Sequence, residues 1–397
     1  MANERPAVCI IIENLPVPID RRVWQEARAL RDAGYRVSII CPKGSGFPKR
    51  RETLEGIEIY RYWVWEASGP LGYLLEYSCA LTAQFLLSLR VYARTRFRVL
   101  QACNPPDTIF LIGLFFKLFG VRFLFDHHDL NPELYEAKFQ RRDLGYKLVC
   151  WAERWTYRTA CVSIATNESY REVAMVRGGM PRERTFVVRS CPDLTRVRIL
   201  PPQPELKEGR RHLVVYLGVM GHQDGLDLLL ESIAALAKLR KCDDTLFVLI
   251  GRGPELPRLK VMAREKGLDG LVRFPGRLPD EDVAAYFSTA EFGVAPDRYT
   301  PMNDKSTMNK ILEYMAFGLP VVLYDLKEGR RSAGDAALYA RNDDPQDFAQ
   351  KILTLLDNES LRKELGTRAR KRIEDELNWE NEKRALLEAY AAALRCR

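Results

Sequence analysis

The residues best suited to chemistry in this chain lie in one run, Pro301 to Val322. A polar stretch, Ser306, Thr307, Met308 and Asn309, precedes an apolar-periodic segment closed by Gly318, Leu319 and Pro320. Ser306 is the expected cap of a helix over 306–317, and the glycine and proline are its stop. The first turn of a helix offers N–H groups without intrahelical partners. Lys310 adds a charge beside them, so the pattern suits a diphosphate. Glu313, roughly two turns inside, suits the two hydroxyls of a ribose. Capping alone would account for the same composition, with Lys310 and Glu313 solvated.

Two further runs carry candidates. Gly218, Gly221 and Gly225 follow the apolar run His212 to Leu217 and enter an amphipathic stretch, a turn that exposes backbone N–H groups to phosphate. Gly251-Arg252-Gly253 has two of the three glycines of a dinucleotide fingerprint, and the first apolar run enters Glu13 to Arg22 with none, which argues against a nicotinamide cofactor. His127 and His128 close the run Arg122 to Asp126, where Asp126 and Asp129 are placed to orient an imidazole. A structural histidine is the alternative. Glu133 reads as an acid at a helix start.

These groups need elements to hold them. Apolar runs at 8–12, 36–41, 57–62, 99–102, 122–126 and 162–165 alternate with amphipathic stretches at 20–33, 75–95, 108–118, 145–159 and 167–176. This is the rhythm of a doubly wound parallel sheet. It stops in the proline-rich, charged segment 200–211, read as a linker, and resumes with strands at 212–217, 246–250, 271–274, 292–295 and 320–323. From Pro345 the tail reads as three helices, the last opened by Trp379. A chain of 397 residues is long for one core, so two domains are expected.

Charge is uneven. Residues 1–200 carry 30 basic and 21 acidic residues, a net +9, whereas the remainder nets −1. The nine cysteines are scattered, which suggests buried thiols in a reducing compartment, the cytoplasm. The N-terminus has no signal-peptide pattern, and Lys117 and Arg122 interrupt the most apolar window, 108–125.

Asn303 to Val322 resembles the nucleotide-binding signature of glycosyltransferase family 4, retaining enzymes of the GT-B fold. Tyr216-Leu-Gly218 and Gln223-Asp-Gly225 resemble the family's opening to its donor domain, and Leu249 to Pro254 its next turn. Phe274-Pro-Gly276-Arg277-Leu278 resembles its base-contacting loop, and Phe125 to Glu133 its Asp-x-His-Glu-x-x-Pro-Glu segment. The resemblance implies an α/β chain of two doubly wound, Rossmann-like domains facing across a cleft. Residues 1–200 would bind the acceptor and 201–379 the nucleotide sugar, with a helix at 380–397 packing back on the first domain.

The implied reaction moves a sugar from a nucleotide diphosphate sugar to an acceptor hydroxyl with retention. Helix-end N–H groups and Lys310 would stabilise the β-phosphate, which draws the proton from the incoming hydroxyl on the same face. His128, Asp126, Lys310 and Glu313 are the implied catalytic residues. Donor binding falls to Gly218, Gly221, Arg252, Gly276, Arg277, Leu278, Lys305, Ser306, Thr307, Met308 and Asn309, with Lys310 and Glu313. No cofactor, metal or nucleic acid is implied. His128, rather than His127, matches the family's histidine. Lys305 stands where most members carry a first glutamate, and Val219 and Asp224 replace the usual arginine and lysine. Charge compensation then falls to Lys310, Arg252 and Lys305. Ile311, Leu312 and Met315 form the packing side of the helix, so Lys310→Ala and Glu313→Ala are expected to weaken nucleotide binding and spare the fold.

A hydrolysing epimerase of the same fold and a non-catalytic binding protein are the rivals. The basic first half, with Arg61, Trp63 and Trp65 and the run Leu71 to Leu89 followed by Arg90, Arg94, Arg96 and Arg98, suggests a membrane-anchored acceptor and peripheral docking. A core helix over that run is the alternative.

Overall fold

The computed structural model describes residues 6–44, 46–64, 70–240 and 242–396, and side chains from 76 onward in the helix that begins at Pro70. Trp65 and the side chains of 71–75 lie outside the described residues. Contacts divide the chain into two units, one reaching Ser190 and rejoined by the chain from Glu382, the other Cys191–Asn381.

The first unit holds β1 (Ala7–Ile11), β2 (Arg36–Pro42), β3 (Arg51–Leu54), β4 (Ile57–Tyr62), β5 (Val99–Cys103), β6 (Arg122–His127), β7 (Val162–Ala165) and β8 (Thr185–Val187). They form one sheet in the order β3-β4-β2-β1-β5-β6-β7-β8, parallel except for β3. β1, β5 and β7 are buried along their whole length, as strands covered on both faces must be. The polar β3 and three-residue β8 escape the apolar-run reading because neither has a run to show.

The second unit holds β9 (His212–Leu217), β10 (Thr245–Ile250), β11 (Val272–Gly276), β12 (Phe292–Ala295), β13 (Val321–Tyr324) and β14 (Ala337–Ala340), ordered β11-β10-β9-β12-β13-β14 and all parallel. Strand order reverses between β1 and β5 in one sheet and between β9 and β12 in the other. In such sheets ligands bind beyond the carboxyl ends of the strands at that reversal. The loops there are locked to one another: Met220 N–H donates to Arg252 O at 3.0 Å and Gly251 N–H to Gly276 O at 2.9 Å. Gly251 has φ +146°, and a Cβ on it would lie 1.8 Å from Gly218 O, so only glycine lets these turns approach.

The segment read as a linker is instead built into the second unit. Leu200 and Gln203 N–H groups donate to Ser288 Oγ and Thr289 Oγ1, and Lys207 pairs with Glu291 at 2.5 Å. Prolines there prevent regular structure without preventing packing, and the unit boundary falls after Ser190. Helix Pro70–Thr95 turns Ala80, Gln84, Ser88, Val91 and Thr95 into the first unit, while Arg90, Arg94, Arg96 and Arg98 are exposed at its end. Among the described residues no helix is long and apolar enough to cross a membrane. All nine cysteines are unpaired; five are buried and Cys79 is exposed, so the expectation of buried thiols holds for only part of the set.

The final helix, Trp379–Arg395, is bonded back to the first unit. Glu382 Oε2 accepts from Arg189 N–H at 2.7 Å, and the buried Tyr390 hydroxyl donates to Gln101 Oε1 at 2.5 Å. Tyr390→Phe leaves that acceptor unpaired in the core and should cost about 1 to 3 kcal/mol. Hydrogen exchange should accelerate in β5 and not in β9; equal exchange in the variant and the parent chain would contradict this anchoring.

Candidate active site

In the first unit β6 ends in Asp126 and His127, and His128 begins the loop beyond it. Asp126 is fully buried, so its charge must be answered within the protein. Arg22 Nη2 donates to Oδ1 at 2.8 Å, Gln101 Nε2 to Oδ2 at 2.9 Å, and His128 Nε2 lies 2.8 Å from Oδ2. Arg22 Nε also lies 3.1 Å from His128 Nε2, so that ring nitrogen faces a carboxylate and a guanidinium at once. Arg22 comes from helix Arg21–Asp32, whose N-cap Asp20 accepts from Val23 N–H, and its Nη1 also donates to Val188 O. Burial alone would raise the Asp126 pKa, but Arg22 and His128 outweigh it and hold the carboxyl far below the usual range. Burial alone would lower the His128 pKa, and Asp126 reverses this to a net rise. Glu26, pushed up to about 7 by burial and by Asp126, pairs with Arg22 at 3.1 Å.

His127 is placed differently. It is fully buried, its Nδ1 lies 2.7 Å from the Tyr157 hydroxyl, and burial lowers its pKa to about 3. A neutral, core-packed ring is the result. The His128 main chain is fixed by Asn104, whose Oδ1 accepts its N–H at 2.7 Å, while Asp107 accepts from Asn104 and Asn131.

In the second unit Lys310 occupies the first turn of helix Asn309–Ala316 and is buried. Its Nζ donates to Asp297 Oδ1 at 2.7 Å, lies 3.8 Å from Asp224 Oδ1, and sits 4.8 Å from the centre of the Tyr216 ring. Burial would lower its pKa, but Asp297 and Asp224 raise it, so the ammonium stays charged. Asp224 also accepts from Gly221 N–H at 2.9 Å. Asn303 ties the crevice loops together, donating to Gln223 O and Arg298 O, both at 2.9 Å. Tyr314 crosses under β9 and β12: its oxygen accepts from Leu217 N–H at 2.7 Å and donates to Val294 O at 3.3 Å.

Residues 19–191 match the family described as Glycosyl transferase 4-like domain, and 211–358 that described as Glycosyl transferases group 1. The chain belongs to these glycosyl transferases. It is 23% identical over 215 residues to 2-deoxystreptamine glucosyltransferase of Streptomyces kanamyceticus, covering 52% of this chain and 54% of that protein. Phosphatidyl-myo-inositol mannosyltransferase of Mycolicibacterium smegmatis is 32% identical over 171 residues, 42% of this chain and 41% of that one. The chain spans about half the length of the relatives it matches. Its fold is similar to sucrose-phosphate synthase from Thermosynechococcus elongatus, with TM-score 0.75 at 17% identity over 98% of each chain. It is also similar to Anabaena Alr3699/HepE in complex with UDP and glucose, with TM-score 0.73 at 14% identity over 98% of this chain and 100% of that one. The fold class is therefore GT-B, with two Rossmann-like parallel sheets.

Against the family's signature several local expectations change. The helix begins at Asn309 with Met308 at its cap, not at Ser306. Residues Asn303–Lys305 form a tight turn first, so Ser306 N–H is taken by Asn303 O and Ser306 Oγ donates to Met302 O. Glu313 is thus one turn inside the helix, not two. Glu133 holds Arg177 at 2.9 Å in place of a bare capping role. Gly218, Gly221, Arg252, Arg277 and Leu278 lie on the loops after β9, β10 and β11, and Gly276 ends β11. Arg252 and Arg277 are exposed there, while Leu278 packs on the core. Lys305, Thr307 and Met308 line the stretch before the helix, half-buried.

The residues that sequence reasoning misses are mostly the partners: Arg22, Gln101, Asn104, Asp297 and Asn303. Each holds a group at least thirteen positions away, Asn303 also bonding the nearby Arg298 O. Asp297 has one signal, a charge directly after an apolar run. Cys103, Asp126 and His128 place ligating atoms within 4.8 Å of one another. The Asp126 oxygens are already engaged by Arg22, Gln101 and His128, and a guanidinium at 2.8 Å repels a cation. Asp280 and Asp282, an Asp-x-Asp pair, sit exposed in the first turn of helix Asp280–Thr289.

Two measurements follow from these buried charges. Lys310→Ala strands Asp297 in the core, so contrary to the sequence expectation it should destabilise the fold by about 3 to 5 kcal/mol. Lys310→Ala with Asp297→Ala should recover most of that in denaturant unfolding; additive losses would contradict the pairing. The raised His128 pKa contributes stability that is complete below the ordinary histidine value and lost as pH rises through the folded value. Asp126→Asn leaves burial and Arg22 outweighing the smaller opposing effect of Asp20 on His128, so the slope of stability against pH near about 6.5 should reverse sign. An unchanged slope would rule out this coupling.

Proposed function

We propose that this chain is a retaining glycosyltransferase that uses a nucleotide diphosphate sugar and transfers the sugar to an acceptor hydroxyl. The observation that carries the reading is Lys310, kept charged at the start of a helix in the crevice where β9 and β12 diverge. The complex of the similarly folded Anabaena protein with UDP and glucose supports a nucleotide sugar as donor.

In this reading the second unit takes the donor. N–H groups of the first turn of helix Asn309–Ala316, with Lys310, stabilise the charge that develops on the β-phosphate. Because Asp297 already answers most of the Lys310 charge, the exposed Arg252 and Arg277 and the nearby Lys305 supply the remaining compensation. Glu313 accepts from the ribose hydroxyls. The Asp297 Oδ2, buried and without a hydrogen-bond partner among the described residues, accepts a hydroxyl of the bound donor. The first unit takes the acceptor, with His128 assigned to the transferred sugar and Asp126 holding its ring in place. The leaving phosphate draws the proton from the attacking hydroxyl on the same face, which gives retention. The resemblance to family 4 implies no metal and no cofactor in this step. The acceptor is a glycan or glycoconjugate hydroxyl, including one carried on a membrane lipid, and the site of action is the cytoplasmic side.

Titration calorimetry against UDP, GDP, ADP and TDP tests the donor assignment. One nucleotide should bind at least tenfold more tightly than the rest, and Glu313→Gln should weaken it by about 1.5 to 3 kcal/mol. His128→Ala should leave that affinity within twofold and abolish transfer. Absence of binding by all four nucleotides would defeat the reading.

A further inference from the structure

Two helices of the first unit carry an apolar stripe on the wrong side. Helix Phe110–Lys117 and helix Leu144–Thr159 each bury one face, Ile112 and Phe116 in the first, Ala152, Thr156 and Tyr157 in the second. Each also presents large apolar residues to solvent at helical spacing. Leu111, Leu114 and Leu118 are 48%, 46% and 81% exposed, and Leu144, Leu148 and Trp151 are 72%, 57% and 52% exposed. Trp155 continues the second stripe at 37%. The intervals of three, four, seven and eleven residues put each set on one line along its helix.

The two stripes make one face. Phe110 packs its ring 5.7 Å from Trp151 and 6.3 Å from Trp155, and Lys117 Nζ reaches Thr159 O at 3.4 Å. A solvent-facing apolar surface of this extent, with two indoles, marks an interaction site. Its charge narrows the partner. Lys147, Arg154 and Arg158 are exposed on the outer helix, and Arg158 lies over the Trp155 ring at 5.6 Å. The one acid of that helix, Glu153, is buried and bound to Arg177 at 2.6 Å. The solvent side of the helix therefore carries cations, leucines and tryptophans with no acid among them.

We propose that this face docks on an anionic lipid surface. Indoles settle at the boundary between headgroups and acyl chains, leucines enter it, and the lysine and arginines meet lipid phosphates. A second copy of the chain fits less well, because two such faces would oppose like charges. The proposal deepens the reading of a membrane-carried acceptor and moves the contact from the Pro70–Thr95 helix, which buries Ala80, Gln84, Ser88, Val91 and Thr95 on one side and shows solvent only Tyr77 and Leu86 among its large apolar side chains described. Both helices begin at the carboxyl edge of the sheet, where His128 lies.

Co-sedimentation of the full chain with vesicles of equal phosphatidylglycerol and phosphatidylcholine, against pure phosphatidylcholine, tests it without donor or acceptor. Sedimentation should require the anionic lipid and fall with salt. The Lys147→Gln, Arg154→Gln, Arg158→Gln variant should lose roughly a hundredfold in partitioning, at about fivefold per cation. Leu148→Ser with Trp151→Ser should lose binding at every salt concentration, Trp151→Phe should retain it, and Arg90, Arg94, Arg96 and Arg98 changed to Gln should bind as wild type. No sedimentation at low salt would overturn the proposal. So would loss of binding confined to the Arg90 to Arg98 variant, or a dimer in light scattering that the Leu148 and Trp151 changes dissolve. Nucleotide titration, run separately, distinguishes this failure from failure of the transferase reading.

Discussion

A charge with no access to water has to be cancelled by the protein around it, and this constraint organises both units. Asp126 lies at the end of a central parallel strand with its side chain sealed off. Arg22, Gln101 and His128 converge on it, and each of these is in turn positioned by something else: a capped helix, a tyrosine hydroxyl from the final helix, the amide of Asn104. Losing one partner exposes the cost of the whole cluster, several kcal/mol for a single stranded charge. Lys310 repeats the arrangement with signs reversed, an ammonium held by Asp297 and Asp224.

Such clusters hold polar groups in one geometry at the carboxyl ends of strands, where parallel sheets open a crevice. They also shift proton affinities in opposite directions. Adjacent histidines show how sharply: His127 is kept neutral by burial, while Asp126 keeps His128 more basic than an ordinary imidazole. Two rings one residue apart, on opposite faces of the chain, are thereby given different chemistry.

How much of this is legible in the sequence follows from distance along the chain. Most strands of both sheets announce themselves as apolar runs, β3, β8 and β14 being the exceptions, and the helix carrying Lys310 and Glu313 as a periodic segment with a glycine and proline stop. The start of that helix is not legible, because Ser306, a good cap by type, spends its hydroxyl on Met302 O. Lys310 reads as a solvated cation free to meet phosphate, since nothing local shows that Asp297, thirteen residues earlier, takes its first hydrogen bond. The same holds for Gln101 and Tyr390, 289 positions apart. Composition locates the basic half, but only packing shows that its apolar stretch at 76–95 turns one side into the core while two other helices face solvent with leucine and tryptophan.

The chemical outcome of turnover is the most direct test of a retaining transfer. Proton NMR of a reaction holding the preferred nucleotide sugar and a glycan acceptor reads the donor anomer, the product anomer and nucleotide release together. Retaining transfer predicts one nucleoside diphosphate released per linkage, and a product with the donor's anomeric configuration. An inverted linkage, or free sugar accumulating at the same rate without acceptor, would contradict it.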